Sequence, residues 1–267
     1  MRVSDARETI GFPRGDCELL LAKAMGKDRL WVLAHPEEEL TSREEKDFLA
    51  MARRRRQGEP FAYIIGQKEF YGRTFQVDRS VLVPRPATER LVELALHMLS
   101  GKEVPAITDI DNEIVAWAYK KTDLTRVREI VDVGTGSGCI AVTIACERPD
   151  LHVVATDIDP NALLVAAKNA TFHGVKDSVE CVAGTLLQPL TERREPFFLI
   201  SNPPYIVEGT QLSKDVASYE SHTALFAGQE GMDVLRPLVE AAQQSPLCAG
   251  WIVECRQEQA HALRHSL

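Results

Sequence analysis

Two short segments of this chain carry residue types whose spacing could do chemistry. The first is Asn202-Pro203-Pro204-Tyr205, directly after the apolar run Phe197-Phe198-Leu199-Ile200-Ser201. Two prolines placed there make sense only where the ladder of a buried strand has ended. They remove two N–H donors and fix the backbone. The carbonyls of the loop stay free to accept, and the Asn202 side-chain oxygen adds another acceptor. Two convergent acceptors can hold both N–H bonds of a primary amide or amine and aim the nitrogen lone pair at an electrophile. An amide nitrogen is a poor nucleophile because its lone pair is delocalised. Hydrogen bonds to Asn202 and to the Pro203 carbonyl would favour the more tetrahedral, charge-bearing transition state, and orientation would supply much of the rest. Tyr205 can pack against a flat substrate group.

The second segment is Asp132-Val133-Gly134-Thr135-Gly136-Ser137-Gly138, between a short strand pattern and a helix pattern. Glycines there permit a tight turn and close approach of a ligand to the main chain. The dinucleotide fingerprint is G-x-G-x-x-G. Here Cys139 stands where its last glycine would be, and an acidic residue precedes the glycines by two positions. That variant suits a ligand without a pyrophosphate. Asp132 can order the loop or accept a hydrogen bond from an ammonium group. Asp157 follows about twenty residues later, where an acidic side chain grips ribose hydroxyls. Asp159, just before Pro160, reads as a helix N-cap. Together these residues describe a pocket for a nucleoside with an amino-acid tail, a description that S-adenosylmethionine fits. The next strand ends at Thr185 and Leu186, beside which a purine would lie.

These segments need a frame. From Glu129 onward strand and helix patterns alternate: strands at 130–133, 152–156, 179–183, 197–201 and 251–254, with helices at 139–146, 160–172 and 231–243. Such alternation implies a parallel sheet with helices on both faces, and ligands bind beyond the carboxyl ends of its strands. Ahead of it the pattern is helical. Cys17–Met25 has Asp16 as its expected N-cap, Leu30–Ala34 is short, and Thr41-Ser42 with Glu44 and Glu45 predict a cap before a third helix. Arg53 to Arg56 form its basic end, suited to the negative pole of the helix. Residues 70–77 and 80–83 predict a β-hairpin turning at Asp78-Arg79. Thr88 is expected to cap a helix through Leu99. Residues 103–127 read as an inserted loop with a helical turn or two at 114–119. The expected organisation is 1–60 helical substrate-docking domain, 61–86 β-hairpin linker and 87–267 catalytic domain.

Composition narrows the class. The 267 residues are 45% hydrophobic and 26% charged, with a net charge of -8. No large basic stripe marks a nucleic-acid binder. The six cysteines are scattered without a Cys-x-x-Cys pair, which argues against zinc. No signal core or membrane-length apolar run is visible, so a cytoplasmic protein is expected.

The chain resembles the HemK/PrmC glutamine N5-methyltransferases, which modify peptide-chain release factors. The resemblance runs from Asp16 to Gln259. It rests on Leu33-Ala34-His35-Pro36, the segment Gly58 to Gly66, Phe70 to Glu89, the glycine loop, Asp157, Asn202-Pro203-Pro204-Tyr205, Tyr219-Glu220 and Gly228 to Asp233. Adenine methyltransferases share the Asn-Pro-Pro-Tyr loop but not the helical N-terminal part. The resemblance implies a Rossmann-like methyltransferase fold, mostly parallel with helices on both faces, preceded by a small helical domain and a β-hairpin. It implies that Asp132, Gly134, Thr135, Gly136, Ser137, Gly138, Asp157, Thr185, Leu186 and Asn202 bind S-adenosyl-L-methionine. Asn202, Pro203 and Tyr205 would be catalytic, and Pro204, Arg85, Thr88 and Glu89 would complete the glutamine slot. The partner would be a release factor, met by a monomer with no membrane and no direct nucleic-acid substrate. Ala87 replaces the first Glu of the family's Pro-Arg-Pro-Glu-Thr-Glu segment, and Ser221 stands where a Pro is usual. The chain stops at Leu267, so the fold's terminal strand pair is expected to be missing, leaving an exposed sheet edge. The rival reading is a methyltransferase acting on an exocyclic amino group of adenine or guanine. A binding protein without activity and a nicotinamide-dependent oxidoreductase are further alternatives, the last disfavoured by the glycine spacing.

Overall fold

The computed structural model describes residues 1–9, 11 and 13–264, so the last three residues of the expected catalytic segment lie outside the described ones. The chain divides into two compact units. The first holds Met1–Gln67 together with Leu212–Tyr219. Its helices are α1 (Val3–Thr9), α2 (Arg14–Met25), α3 (Arg29–Ala34), α4 (Ser42–Arg56) and α5 (Phe61–Ile65). Leu20, Leu21, Val32, Phe48 and Ile64 form its core.

Local chemistry sets the ends of these helices. The cap predicted at Thr41-Ser42 is Thr41, which forms a capping box with Glu44: the Thr41 hydroxyl oxygen accepts from the Glu44 N–H, and the Glu44 carboxylate accepts from the Thr41 N–H. Asp28 caps α3, accepting from the Trp31 N–H at 2.7 Å. Asp16 is not the cap of α2. The helix starts earlier, after Pro13, and Asp16 lies in its first turn facing Arg55 at 3.4 Å. Arginine and glycine at 14 and 15 accept helical backbone, so the acidic residue serves the helix pole instead. The arginine run is not all solvated. Arg54 donates to both Glu59 oxygens at 2.7 and 2.8 Å, and Glu59 is buried.

The second unit opens with a two-stranded hairpin, β1 (Gln67–Phe70) and β2 (Arg73–Gln76). The predicted hairpin is therefore displaced: its turn is Tyr71-Gly72, both at positive φ, not Asp78-Arg79. Asp78 does make a bend, accepting from the Ser80 N–H at 2.9 Å, but Ser80 to Val83 form no strand. Residues 61–86, expected as a hairpin linker, thus hold α5, this hairpin and an extended stretch.

The sheet has seven strands in the order β3-β4-β9-β8-β5-β6-β7. In chain order the elements are α6 (Pro86–Leu99), β3 (Ile107–Asp111), β4 (Ile114–Lys120), β5 (Glu129–Val133), α7 (Cys139–Glu147), β6 (His152–Asp157), α8 (Pro160–Phe172), β7 (Val179–Ala183), β8 (Phe197–Ser201), α9 (Lys214–Tyr219), α10 (His222–Leu225), α11 (Leu235–Gln244), β9 (Cys248–Arg256) and α12 (Gln257–Arg264). Of these, α9 packs with the first unit. Strands β5 to β9 pair parallel. Side chains alternate between two cores. Ile130, Phe198, Ile200 and Ile252 meet α6 and α7 on one face. Val131, Leu199, Trp251 and Val253 meet α11 and α12 on the other. Both faces are covered, which is why these strands read as continuous apolar runs.

Residues 103–127 overturn the loop-and-turn expectation. They contain an antiparallel hairpin, β3–β4, and β4 pairs antiparallel with β9 from Ile114↔Arg256 to Lys120↔Gly250. The two strand positions expected to be missing beyond β9 are filled by this hairpin, so β9 is no edge. Main-chain hydrogen bonds do not depend on chain order, and a strand delivered from upstream pairs as well as one from downstream. Tyr119 stacks on Trp251 at 4.6 Å, and Trp117 meets the same ring edge-on. Gly250 permits the close approach: a Cβ there would lie 2.5 Å from the Tyr119 carbonyl oxygen.

Candidate active site

The carboxyl ends of β5, β6, β7 and β8 converge on one cavity of about 190 Å³. The glycine loop joins β5 to α7, with Gly134, Gly136 and Gly138 at φ of 72°, 54° and 77°. Side chains rarely adopt that conformation. On the Cβ side of Gly134 and Gly136 nothing lies within 4 Å, so the loop presents bare backbone there.

Asp132 orders this loop from beneath. It is fully buried, and one of its oxygens accepts from the Thr135 hydroxyl at 2.6 Å and the Ala141 N–H at 3.1 Å. Its other oxygen is buried without a partner. Burial pushes its pKa up to about 7 against those two hydrogen bonds, and Asp157 nearby adds to the rise. Asp132 does not reach the cavity wall, so of its two predicted uses the structure places it at the loop-ordering one.

Asp157 ends β6 and clamps the loop tip. Its carboxylate accepts from the Gly136 N–H and the Asp159 N–H, each at 2.9 Å, and it lines the cavity. Asp159 caps α8 as predicted, accepting from the Asn161 N–H at 2.8 Å. Ile158, between the two, is 65% exposed and also lines the cavity. The motifs read from the sequence do not include it. Its one signal was an isolated apolar residue between two aspartates. Thr185 and Leu186 line the far side. An exposed apolar side chain, a carboxylate and open glycine backbone around one cavity suit a nucleoside with an amino-acid tail, so these residues fit S-adenosylmethionine.

Opposite the glycine loop stands the Asn-Pro-Pro-Tyr segment. The Ser201 hydroxyl donates to the Val133 carbonyl at 2.6 Å, tying the end of β8 to the end of β5. Asn202 and Pro204 line the cavity, whereas Pro203 is buried behind it. The Asn202 amide nitrogen donates to the Thr88 hydroxyl oxygen at 3.0 Å. Thr88 in turn donates to Glu254 at 2.8 Å, and the Tyr205 hydroxyl donates to the other Glu254 oxygen at 2.9 Å. Thr88 is therefore not a helix cap. α6 begins at Pro86 without a side-chain cap, and the Thr88 hydroxyl is used across the sheet. Tyr205 turns toward Glu254 and is not on the cavity wall. Burial and that carboxylate raise its pKa. Gln259 holds the loop's end, donating to the Tyr205 carbonyl at 2.9 Å.

Arg85 lines the cavity and is fixed by Glu220, whose two oxygens accept from it at 2.7 and 2.8 Å. Thr88 lines the cavity as well, but Glu89, in the first turn of α6, does not. Gly138 also stays off the wall, packed against Ala166. Among the predicted residues the cavity thus gathers Gly134, Thr135, Gly136, Ser137, Asp157, Thr185, Leu186, Asn202, Pro204, Arg85 and Thr88. Glu254 was missed; the signal available was a single charged residue in the apolar strand Trp251-Ile252-Val253.

Among the described residues no helix is long and apolar enough to cross a membrane. A family model for the PrmC N-terminal domain matches residues 4–66, and one for the methyltransferase small domain matches residues 108–224. The chain is 37% identical to a release factor glutamine methyltransferase of Koribacter versatilis over 243 residues, 90% of this chain and 78% of that protein. It is 36% identical to the protein of that name from Nitratidesulfovibrio vulgaris over 87% of this chain and 72% of the relative. A third, from Bordetella pertussis, is 34% identical over 95% of this chain and 86% of the relative.

Proposed function

Because the chain belongs to the release factor glutamine methyltransferase family, we propose that it methylates the side-chain amide nitrogen of the glutamine in the Gly-Gly-Gln loop of a peptide-chain release factor. It is an S-adenosylmethionine-dependent methyltransferase. When bound, the cofactor supplies a methyl group on a positively charged sulfur that leaves as a neutral thioether. The open backbone of Gly134 and Gly136 would receive its amino-acid tail, Asp157 its ribose hydroxyls, and Ile158 with Thr185 and Leu186 its purine.

The observation that carries the reading is the state of Asn202. Its amide N–H is committed to Thr88, which leaves its carbonyl oxygen as an acceptor on the cavity wall. That oxygen accepts one N–H bond of the glutamine amide, the carbonyl of Pro203, whose ring is buried behind the wall, would accept the other, and together they turn the amide lone pair toward the methyl group. As the nitrogen gains positive character both hydrogen bonds strengthen, so the stabilisation favours the transition state over the bound substrate. The spare proton leaves from nitrogen to water after transfer, so no strong base is needed. Arg85, braced by Glu220, and Pro204 bound the slot. The reaction takes place in the cytoplasm, where translation terminates.

The test incubates the full chain with radiolabelled S-adenosylmethionine and, in separate arms, a purified release factor, the same factor with its Gly-Gly-Gln glutamine replaced, and bulk RNA or DNA. Label on the intact factor alone, lost in N202A, supports the reading. Label on nucleic acid, or equal label on both factors, refutes it.

A further inference from the structure

Glu254 lies in the middle of the buried strand β9, 1% exposed, and no part of the reaction above uses it. It touches neither the cavity nor any group that would be transferred. Yet it accepts hydrogen bonds from Thr88 and Tyr205, and the Asn202 amide N–H also faces it. The arrangement has a direction. A carboxylate can only accept. The single proton of the Thr88 hydroxyl must therefore point at Glu254. Only the Thr88 lone pairs then remain for Asn202, so Asn202 must meet Thr88 with its N–H and not with its oxygen. An asparagine amide is nearly symmetric in shape, and packing alone discriminates poorly between its two orientations.

We propose that Glu254 is a positioning residue: through Thr88 it fixes the orientation of the Asn202 amide, so that the cavity always meets an acceptor oxygen. The inference rests on the methyl-transfer reading for its activity assay but not for its geometry. With the amide reversed, an NH₂ group would face the NH₂ of the substrate, and the two donors would repel.

Glutamine at 254 has nearly the same shape but can donate to Thr88. The Thr88 proton is then released toward Asn202, and the amide is free to reverse. The same holds for protonated Glu254, so pH offers a second perturbation without a variant. Burial raises the Glu254 pKa above its ordinary value, opposed by the hydrogen bonds from Thr88, Tyr205 and Asn202 and by Arg85. The titratable and charged groups facing it are Tyr205 from the loop, Arg85 from the start of α6 and Cys255 on its own strand.

The experiment measures kcat and KM for methylation of a release factor by the parent and E254Q from pH 5 to 9, with cofactor affinity in parallel. The expected result is a fall in kcat of about 100-fold, the size seen when one polar contact to a transition state is removed. KM and cofactor affinity should stay within threefold. The parent should also lose kcat at acid pH, with its midpoint above the ordinary carboxylate range, and E254Q should lose that limb. An unchanged kcat in E254Q, or an acid limb that persists in it, overturns the proposal while leaving the methylation reading intact. Should the parent not label the release factor, that reading fails and a second measurement decides this one. In ¹⁵N spectra of the protein with S-adenosylhomocysteine, the Asn202 side-chain amide, identified by its loss in N202A, must shift in E254Q. If it stays in place, the orientation does not depend on Glu254.

Discussion

Asp132 gives a stability prediction that can be worked through from its surroundings. Its side chain is fully buried, with one oxygen hydrogen-bonded twice and the other without a partner. Its pKa rises from an ordinary 3.8 to about 7, mainly through burial. Between those values the folded protein holds a proton that the unfolded chain has released. Stability from this group is therefore fully present below about pH 4 and is lost as pH rises through about 7. The slope is about 1.4 kcal/mol per pH unit, and the whole loss is on the order of 4 kcal/mol. D132N is neutral throughout and lacks this term. Urea denaturation of both proteins, without cofactor, at half-unit steps from pH 5 to 8 gives the difference in unfolding free energy. That difference should move in favour of D132N by about 2 to 3 kcal/mol between pH 5 and 7, then level off. Any fixed cost of the poorer asparagine geometry cancels, because only the change with pH is read. A difference constant within about 0.5 kcal/mol over the whole range would refute the reasoning, since it would mean that Asp132 stays ionised when folded.

Two further outcomes are expected. R54A should lower stability by about 2 kcal/mol in urea, because it removes charge-assisted hydrogen bonds to a buried carboxylate, whereas R53A, on an exposed residue, should stay within about 0.5 kcal/mol; equal effects would contradict the division of the arginine run. D157A should weaken S-adenosylmethionine binding about 10- to 100-fold by calorimetry, the worth of hydrogen bonds to a charged group, and an affinity within threefold of the parent would remove Asp157 from the ribose site.

The glycine loop and the Asn-Pro-Pro-Tyr segment were legible because each needs a backbone that only particular residues allow, and Asp157 because its spacing from that loop places it at the end of the next strand. Glycines at positive φ and prolines beyond a ladder are local requirements, and they show in sequence. The cap at Thr41 was legible for the same reason. What failed depended on distant partners. Thr88 sits where a cap would, but its hydroxyl is claimed by Glu254, 166 residues away. Asp78 marks a bend, yet the hairpin turns at Tyr71-Gly72, where a tyrosine takes a left-handed conformation that no propensity announces. Within β4, Val115 to Ala118 are buried on both faces, so the segment lacks the alternation that separates a strand from a helix. Glu254 could not be assigned from its neighbours in sequence, because its three partners come from α6 and from the loop after β8.

The β3–β4 hairpin also has a consequence for biogenesis. It leaves the ribosome before every parallel strand of the sheet, but its partner β9 is the last of these seven strands to be made. Ile114 pairs with Arg256 and Lys120 with Gly250, separations of well over a hundred residues. Until β9 arrives, Val115 and Trp117 have a strand, β3, on one side only, and the hairpin keeps an unpaired edge. Closure over such a separation is slow, and unpaired apolar edges invite association between nascent chains. The vulnerable interval in the life of this protein is therefore set by the time needed to translate from residue 120 to residue 256, and slowing translation within that span should lower the yield of folded protein more than slowing it upstream.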